Sequence, residues 1–356
     1  GVSSRRWNWH DLTALDWGVI ALVVLSALSL TWAPNFGVAS RDFRVVVLES
    51  ALFYALLRLA RLNTAQRWRV VDAWMLGAVL MSLIGLMQFA VTGDVITAEG
   101  VRRVRGVYGS PNNLALFLER ALPVLAVGLL WPIGRRRRWL YSLALLPVLA
   151  CLVLTFSRGA LLLAVPAAAL GVGILRGRRA LLVTVVMLTI VVLAVLPFAG
   201  TERFASLWNV RSGTTFFRFQ LWRATLNLIA DHPLTGVGLD NFLYQYRTRY
   251  VLPAAWQELD LSHPHNLVLD FWVRLGVLGV FVLLWLEVAF FRRGLSLFRK
   301  SARSSLRPLA AGLMASMVAA LAHGLIDQGF FLVDLAFVFM LIQGMLSPLE
   351  WEDALS

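Results

Sequence analysis

The chain has 356 residues, 59% hydrophobic and 15% charged, with 33 Lys and Arg against 20 Asp and Glu for a formal net charge of +13. A soluble domain cannot hide that much apolar surface, and runs of roughly 17–25 apolar residues recur, each long enough as a helix to cross a ~30 Å hydrocarbon core. The basic excess therefore reads as the loop bias of a membrane protein, which excludes nucleic acid as the expected partner, and the lone Cys151 excludes an internal disulfide.

Ten spans are predicted in chain order: 14–32, 43–60, 72–91, 113–131, 139–156, 159–175, 180–197, 266–291, 308–327 and 332–348. The expected fold class is an all-α polytopic membrane protein of about ten transmembrane helices. Residues 1–356 form one membrane domain, with a helical loop, 198–265, inserted between the seventh and eighth spans. The chain opens Gly1-Val2 without Met, which points to a trimmed start, and the first apolar segment reads as a retained anchor.

The linkers sort by charge. Those from Arg61 to Arg69, Arg135 to Arg138, Arg176 to Arg179 and Arg292 to Arg307 contain no Asp or Glu, which predicts that they and both termini face the cytoplasm. The alternate linkers, including 92–112, the Ser157-Arg158-Gly159 turn, 198–265 and the segment from Asp327 to Asp334, then face the other side.

Arginine is disfavoured on that translocated side, yet Arg102, Arg103, Arg105, Arg120, Arg158, Arg203, Arg211, Arg218, Arg223, Arg247, Arg249 and Arg274 fall there. Arg203, Arg247 and Arg249 have acids or solvent nearby. The Arg158 turn contains no carboxylate, so that side chain either snorkels to the interface or meets a ligand. Arg120, beside Glu119, and Arg274, four residues after Asp270, lie inside predicted spans, where a charge costs about 2.5–3.5 kcal/mol near a helix centre. The Asp270–Arg274 pair is either structural or part of a site. On a helix from Thr215 to Asp231, Arg218 centres a face made by Leu221, Trp222, Thr225, Leu228 and Ile229, opposite Gln220, Arg223, Asn227 and Asp231. A buried arginine needs an anion, supplied by a ligand or by a distant carboxylate. Arginines gathered at one membrane face suit a phosphorylated substrate, because the guanidinium offers paired planar donors.

His263-Pro264-His265-Asn266 opens the eighth span, with His265 and Asn266 expected in its first turn, an anion-friendly position. Histidine also exchanges protons near neutral pH. The spacing of His232, His263, His265 and His323 shows no metal site, and Gly236-Val237-Gly238 is a turn signal rather than a nucleotide loop. No cofactor is expected. Ser157 and Ser110 have no nucleophile setting, which argues against an intramembrane protease. A transporter would show internal repeats and interrupted helices at the midplane, and the sequence has no repeat.

Three segments resemble the O-antigen ligase and polymerase superfamily: Thr155-Phe156-Ser157-Arg158-Gly159; Arg218 with Trp222, Ala224 and His232-Pro233-Leu234-Thr235-Gly236-Val237-Gly238-Leu239-Asp240-Asn241-Phe242; and His263-Pro264-His265-Asn266-Leu267. Gly109-Ser110-Pro111-Asn112-Asn113-Leu114-Ala115 is a weaker fourth. The resemblance implies a GT-C-like fold in the bacterial inner membrane, with its active site at the periplasmic face. It implies inverting, metal-independent transfer of a glycan from undecaprenyl diphosphate to an acceptor hydroxyl, which in an O-antigen ligase is a lipid A-core sugar. The polysaccharide polymerases of the Wzy type and the protein O-oligosaccharyltransferases are the alternatives within this class. By segment, the resemblance makes Arg158, Arg218 and His265 catalytic and gives Arg105, Arg120, Arg223, Asn112, Asn266 and Arg274 supporting contacts to substrate. Two features depart from the family: Arg274 stands where an acidic residue is common, and ten spans replace about twelve.

Overall fold

The computed structural model describes residues 11–98, 100–195, 213–301 and 306–346. Arg203, Arg211, both chain ends and the last residues of the seventh and tenth predicted spans lie outside them.

The regular structure among the described residues is helical apart from one short ribbon. In chain order the helices are α1 (Ala14–Ser29), α2 (Phe36–Asp42), α3 (Glu49–Leu59), α4 (Thr64–Met87), α5 (Pro111–Leu130), α6 (Arg135–Leu154), α7 (Val165–Arg176), α8 (Arg178–Val195), α9 (Gly213–Asp231), α10 (Phe242–Gln245), α11 (Leu267–Lys300), α12 (Leu306–Gly324) and α13 (Val333–Met345). A wide turn, Phe43–Leu48, joins α2 to α3 without a break in direction of coiling, and Ala160–Ala164 does the same ahead of α7. Helices thus occupy all ten stretches expected from hydropathy. Among the described residues, five of them are long and apolar enough to cross a membrane: Thr64–Thr92, Pro111–Leu130, Arg135–Leu154, Leu267–Lys300 and Leu306–Gly324. The described residues are those of a multi-pass membrane protein of the all-α class.

Local chemistry starts these helices where they start. Thr13 and Asp16 form a reciprocal capping box on α1, Asn63 and Gln66 form another on α4, and Ser110 caps α5 with Pro111 in its first turn. Ser110 is therefore a helix cap. Charges tie neighbouring helices together: Asp16 accepts from the Tyr54 hydroxyl at 2.8 Å and pairs with Arg58, and Arg137 holds Asp72 at 2.9 Å.

α5 and α12 pack against each other at the centre of the bundle, with α6 and α11 beside them. Apolar side chains on the outer helices, such as Leu143 on α6 and Val183 and Val192 on α8, are exposed as lipid-facing residues would be. A second, smaller core lies in the segment between α8 and α11, where Leu221, Ala224, Leu228 and Ile229 of α9 meet Val237, Phe242, Tyr246 and Val273. This is the apolar face predicted for α9, with Arg223 and Asn227 exposed opposite it.

Two features were not foreseen. Ile96–Ala98 and Val101–Arg103 pair antiparallel, Ile96 opposite Arg103. α11 is interrupted at Gly276, whose φ of 70° is strained for any residue with a side chain. The main chain of the His232–Gly238 segment enters that break: Val237 N–H donates to Val273 O at 2.7 Å, and Val277 N–H to Pro233 O at 3.1 Å. A Cβ at Gly276 would sit 1.9 Å from Leu234 O. Asn241 then fastens the same segment to the α1–α2 connection through both main-chain groups of Asn35. The Gly236-Val237-Gly238 stretch is part of a structural clamp on α11 at its break around Gly276.

Candidate active site

Pro264 and Asn266 dictate how His265 is presented. Asn266 is the N-cap of α11: its side chain accepts the Leu269 N–H at 3.0 Å and donates to Leu325 O at 2.9 Å. The helix starts at Leu267, so His265 and Asn266 precede the first turn rather than forming it as expected. His265 sits at φ 49°, a left-handed conformation uncommon outside glycine. The Trp222 indole of α9 holds Pro264 O at 3.0 Å. These bonds turn the His265 ring towards the segment after α12.

There it meets Asp327, with His265 Nδ1 2.9 Å from Asp327 Oδ1. Asp327 is 2% exposed, and several groups converge on its carboxylate. Asn112 Nδ2 donates to Oδ2 at 3.4 Å and the Gln328 N–H to Oδ1 at 2.9 Å. Arg218 Nη2 and His323 Nε2 each lie 3.9 Å from Oδ2, and His263 Nε2 is 3.6 Å from Oδ1. Burial pushes the Asp327 carboxyl up, but the histidines around it, His265 first, reverse this and hold it well below the usual carboxylate range. Burial also lowers His265, against the pull of Asp327, so its neutral form prevails near neutral pH. An ionised carboxylate only accepts, which fixes the proton on Nδ1 and leaves Nε2 as the basic nitrogen.

The arginines approach from α9 and from the turn after α6. Arg158 Nη2 donates to Thr214 Oγ1 at 2.6 Å, and Thr214 stands one helical turn before Arg218 on the same face. Arg218 is half-buried. Burial lowers its pKa, the Asp327 charge raises it, and the nearby Arg158 charge lowers it again. Two guanidinium groups therefore stand together, and Arg218 reaches Asp327 only at the outer limit of an ion pair. The distant carboxylate considered for Arg218 exists, but four other side chains share it.

An outer layer fixes these groups. Arg103, brought in by the ribbon, donates to Thr155 O and to Asn112 Oδ1, both at 2.8 Å. His323 bonds Glu119 at 2.6 Å inside the bundle, and its ring lies directly on Gly159. A Cβ at Gly159 would meet His323 Nε2 at 2.1 Å, so Gly159→Ala must displace His323, the Arg158 turn, or both. Overpacking of this kind costs roughly 1–3 kcal/mol. The variant is expected to insert in the membrane, with a lowered thermal midpoint and most activity lost. Unchanged activity would show that the turn does not need its contact with His323.

Of the residues singled out from sequence, the structure brings His265, Arg218, Arg158 and Asn112 together, with Asn266 as the cap. It sets Arg105, Arg120 and Arg223 apart from that cluster, while Arg274 borders the same cavity as His263, His265 and Asp327. Arg105 pairs with Asp94 at 2.8 Å, and Arg223 is exposed on the far face of α9. Arg120 is fully buried and donates to Gly329 O at 2.5 Å and Leu335 O at 3.2 Å, bracing the segment that carries Asp327. Arg274 lies over the Phe331 ring and faces three acids: Asp270 at 2.7 Å, Asp42 at 3.1 Å and Asp240 at 3.9 Å.

Sequence reasoning missed Asp327, Arg103 and the Glu119–His323 pair as parts of the site. A cavity of about 510 Å³, bordered by Asn112, Asp240, His263, His265, Arg274 and Asp327, opens beside the His265–Asp327 pair, and neither Arg158 nor Arg218 lines it. His263, His265 and Asp327 also form a group with the donor atoms of a metal site, all within 4.8 Å of one another. Histidine spacing could not reveal it, because Asp327 comes 62 residues after His265.

Residues 140–284 match the family model described as O-Antigen ligase. The comparison with curated proteins found no match. The matched stretch runs from α6 into α11 and holds Arg158, Arg218 and His265, while Asn112, His323 and Asp327 lie outside it. That stretch of the chain is therefore similar to the O-antigen ligase family.

Proposed function

We propose that the protein is an inner-membrane glycosyltransferase of the GT-C type that moves a glycan from undecaprenyl diphosphate to an acceptor hydroxyl. The acceptor is a lipid A-core sugar, as in an O-antigen ligase, and the transfer inverts the anomeric centre without a metal. The observation that carries this reading is the His265–Asp327 pair at 2.9 Å, with two arginines approaching it from the other side.

The chemistry balances on these groups. The acceptor oxygen attacks sugar C1 from the face opposite the leaving group, so one C–O bond forms as the C1–O bond to diphosphate breaks and the configuration inverts. The bonding electrons go to the diphosphate oxygen. Arg158 and Arg218 stabilise the charge that grows there, a role worth about 10²–10³-fold for a single well-placed donor. His265 Nε2 takes the acceptor proton. Asp327 holds the ring in the required tautomer and stabilises the imidazolium that results.

The ten helical segments all cross the membrane in this reading, with both termini cytoplasmic and residues 198–265 periplasmic. Cysteines placed at exposed positions between 213 and 262, or next to Arg158, are expected to react with an impermeant thiol reagent from the periplasm. Those at Arg136 and Arg299 are not. The native Cys151 is buried and gives little background. Labelling on the opposite sides would remove the site from the compartment of its donor.

The test of function is transfer by the purified protein, in chelator, from undecaprenyl-diphosphate glycan to lipid A-core. The expected products are glycosylated acceptor and undecaprenyl diphosphate. Growth of the donor glycan itself would identify a polymerase, glycosylation of an added protein an oligosaccharyltransferase, and no transfer would refute the reading.

A further inference from the structure

We propose that His263, His265 and Asp327 form a binding site for one late first-row divalent cation, of which zinc is the type, and that the bound ion switches transfer off. Three donor atoms face a common point: His263 Nε2 and His265 Nδ1 are 3.1 Å apart, His265 Nδ1 and Asp327 Oδ1 2.9 Å, and His263 Nε2 and Asp327 Oδ1 3.6 Å. Ligands about 2.0–2.1 Å from a tetrahedral ion stand roughly 3.3 Å from one another. The three edges bracket that value.

Protons alone serve this triangle poorly. A single proton on His265 Nδ1 can point at Asp327 or at His263 but not squarely at both. The remaining edge then sets a ring lone pair against a carboxylate oxygen. A second proton, on His263 Nε2, would put two N–H groups 3.1 Å apart, nose to nose. A cation at the centre satisfies all three atoms at once.

The surroundings suit an ion as well. Asn112 and the Gln328 N–H already orient the Asp327 oxygens. The Ser262 hydroxyl lies 3.1 Å from His263 Nδ1, the outer partner that a ligating histidine usually has. Both histidines border the cavity, which leaves a fourth position for water. Two imidazoles and one carboxylate suit zinc and its neighbours, whereas magnesium and calcium prefer oxygen donors. Arg218, 3.9 Å from Asp327, opposes the positive charge, so the site is expected to bind more weakly than a closed structural zinc site.

Binding at Nδ1 moves the His265 proton to Nε2, the nitrogen that would otherwise accept the acceptor proton. That consequence rests on the transfer mechanism proposed above; the binding itself does not.

The experiment uses the full chain, without a histidine tag, stripped with chelator. Titration with Co²⁺ alone is expected to give the visible absorption of a four-coordinate cobalt site, displaced by Zn²⁺. His263→Ala and Asp327→Asn are each expected to weaken it by more than the roughly 10–100-fold typical for loss of an outer partner. In the transfer assay, Zn²⁺ should inhibit the wild type and EDTA restore it, while His263→Ala, compared with its own zinc-free rate, loses the sensitivity. No cobalt absorption, or the same absorption in both variants, overturns the site. Zinc inhibition that persists in His263→Ala, or transfer stimulated by zinc, overturns the switch. Cobalt binding in a protein that never transfers glycan would leave the site standing and refute the proposed function instead.

Discussion

Arg158→Lys and Arg218→Lys are each expected to lower transfer about 100-fold or more while the protein still folds and inserts. Lysine keeps the charge but replaces a rigid fork of paired donors with one mobile ammonium, and diphosphate recognition depends on the fork. Arg158 is anchored to α9 through Thr214, one turn from Arg218, so the two guanidinium groups act on one ligand. Arg247→Lys is the control: its 3.2 Å pair with Asp260 is solvent-exposed and contributes little. Initial transfer rates in matched amounts of purified protein check the prediction. Full activity in both arginine variants would move the diphosphate site elsewhere.

The second large effect is expected at the histidine–carboxylate pair. His265→Ala and Asp327→Asn should each cost about 10²–10⁴-fold, the usual range for a positioned proton acceptor, and the double variant little more than either alone. Asparagine keeps the shape of Asp327 but no longer fixes the Nδ1 proton or balances an imidazolium. His263→Ala should retain far more activity. His265→Gln separates positioning from proton transfer: partial activity means that the ring mainly positions the acceptor, whereas a loss equal to alanine means that it takes the proton. In that second case the rate, measured with chelator present, holds through neutral pH. Burial lowers the His265 pKa, so its active neutral form is lost only as pH falls below the ordinary histidine range.

Much of this was legible in the sequence, for identifiable reasons. Helix positions followed from runs of apolar residues, and the buried face of α9 followed from helical periodicity, which placed Arg218 among Leu221, Thr225 and Leu228. The motifs located Arg158 and His265. Asp327 was not legible as a site residue, since it reads as an ordinary linker acid and only the packing of α12 against α5 and α11 brings it to His265. The partners of Arg274 were hidden for the same reason: Asp42 and Asp240 come from elements far apart in the chain. Nor could the break in α11 be foreseen, because isolated glycines such as Gly276 and Gly279 in a long apolar run are compatible with an intact helix until another main chain is known to enter beside it.

The division of labour between arginines and histidine can be measured without turnover. Binding of undecaprenyl-diphosphate glycan to purified wild type, Arg158→Lys, Arg218→Lys and His265→Ala, in the absence of acceptor, reports on the diphosphate contacts alone. Donor affinity is expected to fall sharply in both arginine variants and to match the wild type in His265→Ala. Unchanged donor affinity in the arginine variants, or its loss in His265→Ala, would contradict a site in which arginines hold the diphosphate and the histidine serves the acceptor.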